Sequence, residues 1–463
     1  MTEHSVEVKG TDHNLDRELA WCLPLKVPPE LPEENMRDQT LSFLKNPYGF
    51  IAQEARKRNT SCFETRILFR KTICMTGAEA AAKFYDPQLF MRKGAAPDPI
   101  KATLFGRGGL QGLDGVAHRR RKDMLLSLLS MEQVKSLGIL VRETFRLEAV
   151  RWSLRNEISF YEESQRVITE AVCKWAGIPM NNENISERSK NLASLFDRAG
   201  EKGLGHFAAR VHRQRAEVWI GKVIGDIRGG RLIADTGTVV STIAAFKDHR
   251  SQPLDERTAA VEVLNILRPT VAVSVYMTFI AHALSIFPEA RPDLTSESSV
   301  RNYLQEIRRH YPFFPAVAAR ARKSFTWQGR KFSKGERVML DIFGTNHDVS
   351  YWERPEEFNP SRFEESKTRI FSFIPQGGGD VRLGHRCPGE ELALELMKQA
   401  LEFLSLDIDY TVPAQDLMID FSRMPALPKS HFRFSVVDLN YLKSSRPGPS
   451  SYYSDSSYHF SHQ

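Results

Sequence analysis

A mainly α fold, with one large helical domain and a small β-rich subdomain, is what this sequence of 463 residues predicts. Two patterns carry that expectation. Apolar residues recur at helical spacing through MEQVKSLGILVRETFRLEAVRWSL, SFYEESQRVITEAVCKWAG, TAAVEVLNILRPTVAVSVYMTFIAHAL and EELALELMKQALEFLSL. Runs rich in β-branched and aromatic residues are confined to a part near the N-terminus, CFETRILFRKTICMTG, and to FTWQGRKFSKGERVMLDIFG. In order, FIAQEARKRN reads as a helix, the first β-rich run as paired strands, and AEAAAKFY as another helix.

With 41% hydrophobic residues the chain can bury a large core, and no repeat or linker divides it. Three segments are expected: a polar stretch over 1–25, one domain over 26–440, and a Ser/Tyr-rich tail over 441–463 that cannot bury enough apolar area to offset its ordering entropy. The net charge of +7 is the small difference between 64 basic and 57 acidic residues. It reads as a solvated surface, and the densest basic run, His118 to Lys122, lacks interleaved aromatics, so no nucleic-acid partner is expected. Five cysteines (Cys22, Cys62, Cys74, Cys173, Cys387) without paired ligand spacing exclude a disulfide framework and a structural zinc site. Charges throughout the first thirty residues leave no signal peptide or membrane anchor, so a soluble, intracellular, cytoplasmic protein is expected. The apolar segment Val271 to Leu284, interrupted by Ser274, Thr278 and His282, is expected to be too short to span a bilayer.

Candidate chemistry centres on FSFIPQGGGDVRLGHRCPGEELALELMKQALEFL. Cys387 ends a glycine-rich loop just before a periodic helix, where the dipole and free backbone N–H groups are expected to lower a thiol pKa. Gly389 removes a side chain where that helix would approach a flat cofactor, and Gly377, Gly378 and Gly379 let the loop fold tightly. The loop meets neither GxGxxG spacing nor a following Lys-Ser or Lys-Thr, so it is no nucleotide cradle. Upstream, Glu306 and Arg309 share a helical face, and Arg362 in FNPSRF is a possible third partner.

Taken together, ExxR at Glu306 and Arg309, FNPSRF and GHRCPGE resemble the cytochrome P450 superfamily over roughly residues 30–440. The resemblance implies the P450 fold and haem b with Cys387 as thiolate ligand and iron-binding residue. It also makes His118, Lys122 and His385 partners of the ring propionates, which need cationic donors. Two departures refine it. Asp380 stands where the ordinary cysteine loop has Phe, and that loop is longer. Arg268 and Pro269 stand where monooxygenases carry an acid–alcohol pair, and Pro269, which lacks an N–H, is expected to kink the helix there. LNILRPTVAVS and PQGGGDVRLGHRCPGE are similar to the fatty-acid peroxygenase family. That similarity implies a long-chain fatty acid held by Arg268, hydrogen peroxide as oxidant, and hydroxylation at the α or β carbon, with minor decarboxylation to terminal alkenes. No reductase is then required. It also places Phe105 near the α and β carbons and Gln111 near the haem edge. Other readings stay open: a reductase-dependent monooxygenase, a hydroperoxide-rearranging enzyme, a non-catalytic haem sensor, or an Arg268 that ends a helix in solvent while Pro269 begins the next.

Overall fold

The structure is a computed structural model that describes residues 37–197, 204–364 and 370–444. The expected polar segment 1–25 and the tail from 445 onward lie outside the described residues.

The helical periodicity becomes helices that bury their apolar stripes against one another. In chain order they are α1 (Thr40–Lys45), α2 (Phe50–Lys57), α3 (Ala78–Phe84), α4 (Gly115–Ser127), α5 (Met131–Trp152), α6 (Phe160–Trp175), α7 (Asn182–Asp197), α8 (Leu204–Arg228), α9 (Val239–Ala245), α10 (Glu256–Val271), α11 (Ser274–Ile286), α12 (Glu297–His310), α13 (Phe343–Asn346), α14 (Glu390–Glu402) and α15 (Asn440–Ser444). The main core is formed chiefly where α5, α6, α8, α10, α11, α12 and α14 meet, through residues such as Phe145, Ile168, Ile220, Leu264, Phe279, Ile307 and Met397. Ser130, Thr238, Asp255 and Ser296 cap α5, α9, α10 and α12 by accepting a backbone N–H, which is why those helices start where they do.

Both β-rich runs join one sheet. β1 (Cys62–Ile67) and β2 (Arg70–Met75) form an antiparallel hairpin, β2 pairs in parallel with β8 (Arg337–Asp341), and β5 (Ala316–Ala321) with β3 (Phe90–Met91) completes the order β1-β2-β8-β5-β3. β6 (Phe325–Trp327) and β7 (Arg330–Phe332) make a separate hairpin. A third sheet, β4 (Ile158–Ser159), β10 (Arg433–Leu439) and β9 (Ile408–Thr411), braces the helical side. The first sheet has its own core, around Ile73, Phe84, Phe90, Phe332 and Leu340, so the β-rich part is a subdomain leaning on the helices.

Three expectations need correction. α10 runs through Pro269 to Val271, and the helix is interrupted at Ala272–Val273 instead of at the proline. The turn can shift because Ala272 N–H still reaches the Arg268 carbonyl at 3.0 Å, while Val273 N–H tightens onto Thr270 at 3.1 Å. Secondly, Glu256–Ile286 is long and apolar enough to cross a membrane by length and composition. Its most apolar window is 94% buried inside the fold, so position in the core, not shortness, distinguishes it from a span. Thirdly, α15 lies across the expected boundary at 440, docked by the Tyr441 hydroxyl, which donates to the Arg146 carbonyl at 2.6 Å.

Candidate haem-thiolate site

Cys387 stands two residues before Gly389, the N-cap of α14. Its N–H donates to the Gln376 carbonyl at 3.0 Å, and the Gln376 side-chain amide lies 3.8 Å from its Sγ. The preceding loop turns tightly because Gly377 and Gly379 adopt φ of +97° and +79°. A Cβ on Gly378 would meet Ile374 at 2.9 Å and the Tyr85 ring at 3.0 Å. Asp380, the unexpected residue of the longer loop, accepts from the N–H groups of Arg382 at 2.8 Å and Leu383 at 2.6 Å, so it closes that extra turn. The thiol itself departs from expectation. Burial pushes the Cys387 pKa up, more than the Gly389 N–H lowers it, and the Glu390 carboxylate adds to the rise. A helix N-terminus therefore does not by itself make this sulfur a thiolate, whereas a metal ion bound to it removes the proton outright.

Above one edge of this loop lies a buried basic cluster. His118 and Lys122 are one turn apart on α4, 3% and 1% exposed. Among the described residues Lys122 Nζ has only carbonyl partners, Arg386 at 2.6 Å and Gly384 at 3.3 Å, and burial pushes its pKa down to about 8. His118 Nε2 is buried without a hydrogen-bond partner, and its ring lies 4.2 Å from that of His385. Burial depresses the two imidazoles to about 3 and about 4, so both are neutral at pH 7. Asp114 counters the cluster: burial works to raise its pKa, but His385 and the N–H groups of Lys93 and Arg92 outweigh that and hold it low. A buried lysine without a carboxylate and an orphaned imidazole are costly unless an anionic group joins them. Two ring carboxylates beside a sulfur ligand meet that need, so the residues present fit haem.

Arg268 lies in the last turn of α10 but is 6% exposed, so it does not point to solvent, and α10 runs on through Pro269 to Val271, so the proline begins no new helix. It has no hydrogen-bond or ion-pair partner among the described residues, and its Nε is buried and unsatisfied. Burial lowers its pKa to about 9, with the neighbouring charge of Arg213 contributing and that of Cys387 opposing. Arg268 and Cys387 are thus close enough for their charges to interact, although they stand on different elements.

Gln111 comes to one face of α10. Val261, Asn265 and Arg268 lie at helical spacing along it, and a Cβ on Gly109 would touch Asn265 Nδ2 at 2.7 Å, Val261 at 3.0 Å and Gln111 Oε1 at 3.3 Å. The Gln111 Oε1 is buried and unsatisfied. Phe105 is half-buried against the main core. What pins this segment was missed from the sequence. Glu262, fully buried on α10, accepts from the Leu110 N–H at 2.9 Å and from Arg121 at 2.6 Å. An acid inside so apolar a helix was the available signal. Arg92, Tyr85 and Asp114, which also line the basic cluster, carry no such local sign.

Glu306 and Arg309, both 0% exposed, pair through two contacts at 2.7 and 2.8 Å. Arg362 Nε reaches Glu306 at 3.2 Å, and the Asn359 N–H donates to it at 2.8 Å. This is a buried network, unlike the exposed pairs that residue spacing alone usually signifies.

The cytochrome P450 family model matches residues 294–410, which contain Glu306, Arg309, Arg362 and Cys387. The fold superimposes on cytochrome P450SP alpha with a TM-score of 0.85 at 45% identity, covering 87% of this chain and 99% of that one. P450EX alpha, solved with myristic acid, gives 0.84 at 39% identity, covering 89% and 100%. P450 OleT, solved without ligand, gives 0.83 at 33%, covering 87% and 98%. The chain belongs to the cytochrome P450 family, and within it to the fatty-acid peroxygenases that these three structures represent. It is therefore an oxidoreductase of the haem-thiolate class.

Proposed function

We propose that this protein is a peroxygenase that uses hydrogen peroxide to hydroxylate long-chain fatty acids at the α or β carbon, with minor decarboxylation to terminal alkenes and no need of a reductase. The observation that carries the reading is Arg268, a buried guanidinium without a carboxylate, close enough to sense Cys387.

Haem b, held by Cys387 and by His118, Lys122 and His385 at its propionates, would supply the iron that activates peroxide, with thiolate donation favouring O–O cleavage. The remaining work belongs to the chain and its substrate. Even lowered to about 9, Arg268 stays protonated at pH 7, and its planar fork matches a carboxylate in two parallel hydrogen bonds. Binding the fatty acid there relieves an uncompensated buried charge, which makes the carboxylate the preferred occupant. Once held, that carboxylate is the acid–base group that α10 lacks: one oxygen takes a proton from one peroxide oxygen and returns it to the other. Pinning the acid end also fixes which carbons face the reacting centre, so oxidation stays near the carboxylate. Phe105 borders those carbons, and Gln111 offers its free Oε1 beside the same helix face.

The test is incubation of purified protein with a long-chain fatty acid and hydrogen peroxide, without reductase. α- or β-hydroxy acids are expected. Their absence at peroxide levels where haem survives, or their formation only when an electron donor protein is added, overturns the reading. Arg268→Ala is expected to lower peroxide-driven turnover of fatty acids by roughly 10²-fold or more with haem still bound, as the loss of a charged orienting contact predicts. Unchanged turnover would remove the carboxylate anchor from the mechanism.

A further inference from the structure

Behind the site, on the side of α11 and the end of α12, lies a group of aromatic side chains that the reaction above does not use. Tyr276 stands on α11, which packs against α14, the helix that follows the cysteine loop. It stacks on Phe313 with ring centroids 4.7 Å apart. Three residues on and sharing that helix face, Phe279 stacks on Tyr311 at 4.4 Å. Beyond Tyr311 the rings continue through Phe358 at 6.2 Å to the half-buried Phe287, stacked 4.9 Å from Phe358.

Tyr311 differs from its neighbours in what its hydroxyl meets. His282 Nε2 lies 3.0 Å from the Leu417 carbonyl, which can only accept, so Nε2 carries the hydrogen. The ring is neutral, because burial lowers its pKa to about 4 against that hydrogen bond, and Nδ1 is therefore a bare acceptor. Tyr311 donates its O–H to this nitrogen at 2.7 Å. The pair is sealed from water, with Tyr311 3% and His282 7% exposed. Tyr276 and Tyr303, by contrast, have buried hydroxyls with no hydrogen-bond partner among the described residues. Tyr48 donates to a carbonyl, that of Phe313, which cannot take up a proton.

We propose that Tyr311 and His282 form a redox-active pair that drains oxidising equivalents left unspent when a bound carboxylate has activated peroxide but no oxidisable C–H bond is in reach. The inference rests on the haem and peroxide reading above. One electron leaves the Tyr311 ring for the oxidised centre, the phenolic O–H bond breaks, and a new N–H bond forms at His282 Nδ1. The products are a neutral phenoxyl radical and an imidazolium. A one-electron reductant of the ascorbate or thiol class then restores the phenol, and His282 returns the proton. Two such cycles, with two protons from solvent, reduce one hydrogen peroxide to two waters. Tyr276 relays the charge but cannot keep it, because an oxidised phenol is a strong acid and this one has no base beside it.

Haem-loaded protein is mixed with hydrogen peroxide and trifluoroacetate, a carboxylate that can pair with Arg268 but has no C–H bond to spend the oxidant, frozen within milliseconds and examined by electron paramagnetic resonance. A radical whose splitting collapses in protein grown on ring-deuterated tyrosine is expected, and Tyr311→Phe should remove most of it. His282→Phe keeps the phenol but not its base, and should reduce the signal several-fold. This second variant decides the matter if Tyr311→Phe fails to load haem. With fatty acid present, Tyr311→Phe should keep its initial rate but complete several-fold fewer turnovers before the haem bleaches. A wild type with no tyrosine radical, an undiminished radical in both variants, or unchanged turnover number overturns the inference. Hydroxylation by the same wild-type preparation separates the two readings: product without the Tyr311 radical defeats only the redox pair, whereas no product defeats the peroxygenase.

Discussion

Lys122 shows how a single residue can be adverse to the bare chain and useful to the loaded one. The residue is 1% exposed and among the described residues its ammonium bonds only to carbonyl oxygens, so burial disfavours its charge. The unfolded chain binds this proton up to the ordinary 10.5, the folded haem-free chain only up to about 8. Unfolded protein thus holds more protons between those values, and the stability of the haem-free chain should rise with pH across that window. Replacing Lys122 by Met should remove that rise and stabilise the haem-free chain in urea at pH 7. The same change should weaken haem retention by roughly tenfold, the worth of one charge-assisted hydrogen bond, as measured by haem transfer to an acceptor protein. A variant that both retains haem normally and keeps the pH dependence would show that Lys122 faces no propionate. The sequence pointed to this residue only through resemblance, since four basic residues in a row read equally well as a solvated turn.

Among the elements, α10 meets the Gly106 segment so closely that side-chain size controls the contact. Gly106 adopts φ of +76°, and a Cβ there would sit 2.0 Å from Arg213 Nη2 and 2.9 Å from Val261. Gly106→Ala should therefore cost about 1–3 kcal/mol in chemical denaturation, from backbone strain and overpacking, and should shift the neighbouring Phe105. A shift in the ratio of α- to β-hydroxy products would report the movement of Phe105. On the β side, Asp341 ends β8 and accepts from Gly344 N–H at 2.7 Å and Thr76 at 3.2 Å. Burial outweighs both and raises its pKa from 3.8 to about 7. The folded chain then holds a proton that the unfolded chain has lost, so this group makes stability fall as pH rises through that interval and level off above it. Asp341→Asn should remove that fall, and urea midpoints at pH 5 and pH 7.5 would differ less in the variant than in the parent.

At the scale of the whole molecule, Glu306 is the point where α12, the Asn359 segment and Arg362 are tied together below the helical core. Arg309→Leu should cost about 3–5 kcal/mol, because it leaves a fully buried carboxylate short of its main partner. The remaining contact with Arg362 argues for the lower end of that range. Loss should appear in thermal denaturation and in the yield of haem-loaded protein together, since α12 and α14 pack against each other. The two cores behave differently in this respect. The sheet cluster around Ile73 and Leu340 is separate from the main helical cluster, so its substitutions should spare the thiolate band in the carbon monoxide spectrum longer than they spare the melting temperature.

The amino-acid order by itself determined α2, α3, α5, α6, α10, α11 and α14 and the β1–β2 hairpin, because periodicity and strand-rich composition are local properties of the chain. It also determined the ordered series of Glu306, Arg309, Arg362 and Cys387, which the family match recovers. Only the tertiary structure decided what each group is worth. An ExxR spacing is the same for an exposed pair and for one at 0% exposure, and a cysteine before a helix is the same whether burial or the dipole governs its proton. The break after Pro269 fell at Ala272–Val273 because the surrounding helix kept its hydrogen bonds one turn longer than the proline rule predicts. Asp114 and the Tyr311–His282 pair stayed invisible for one reason: their meaning is a distance to residues tens or hundreds of positions away, and burial converts that distance into energy.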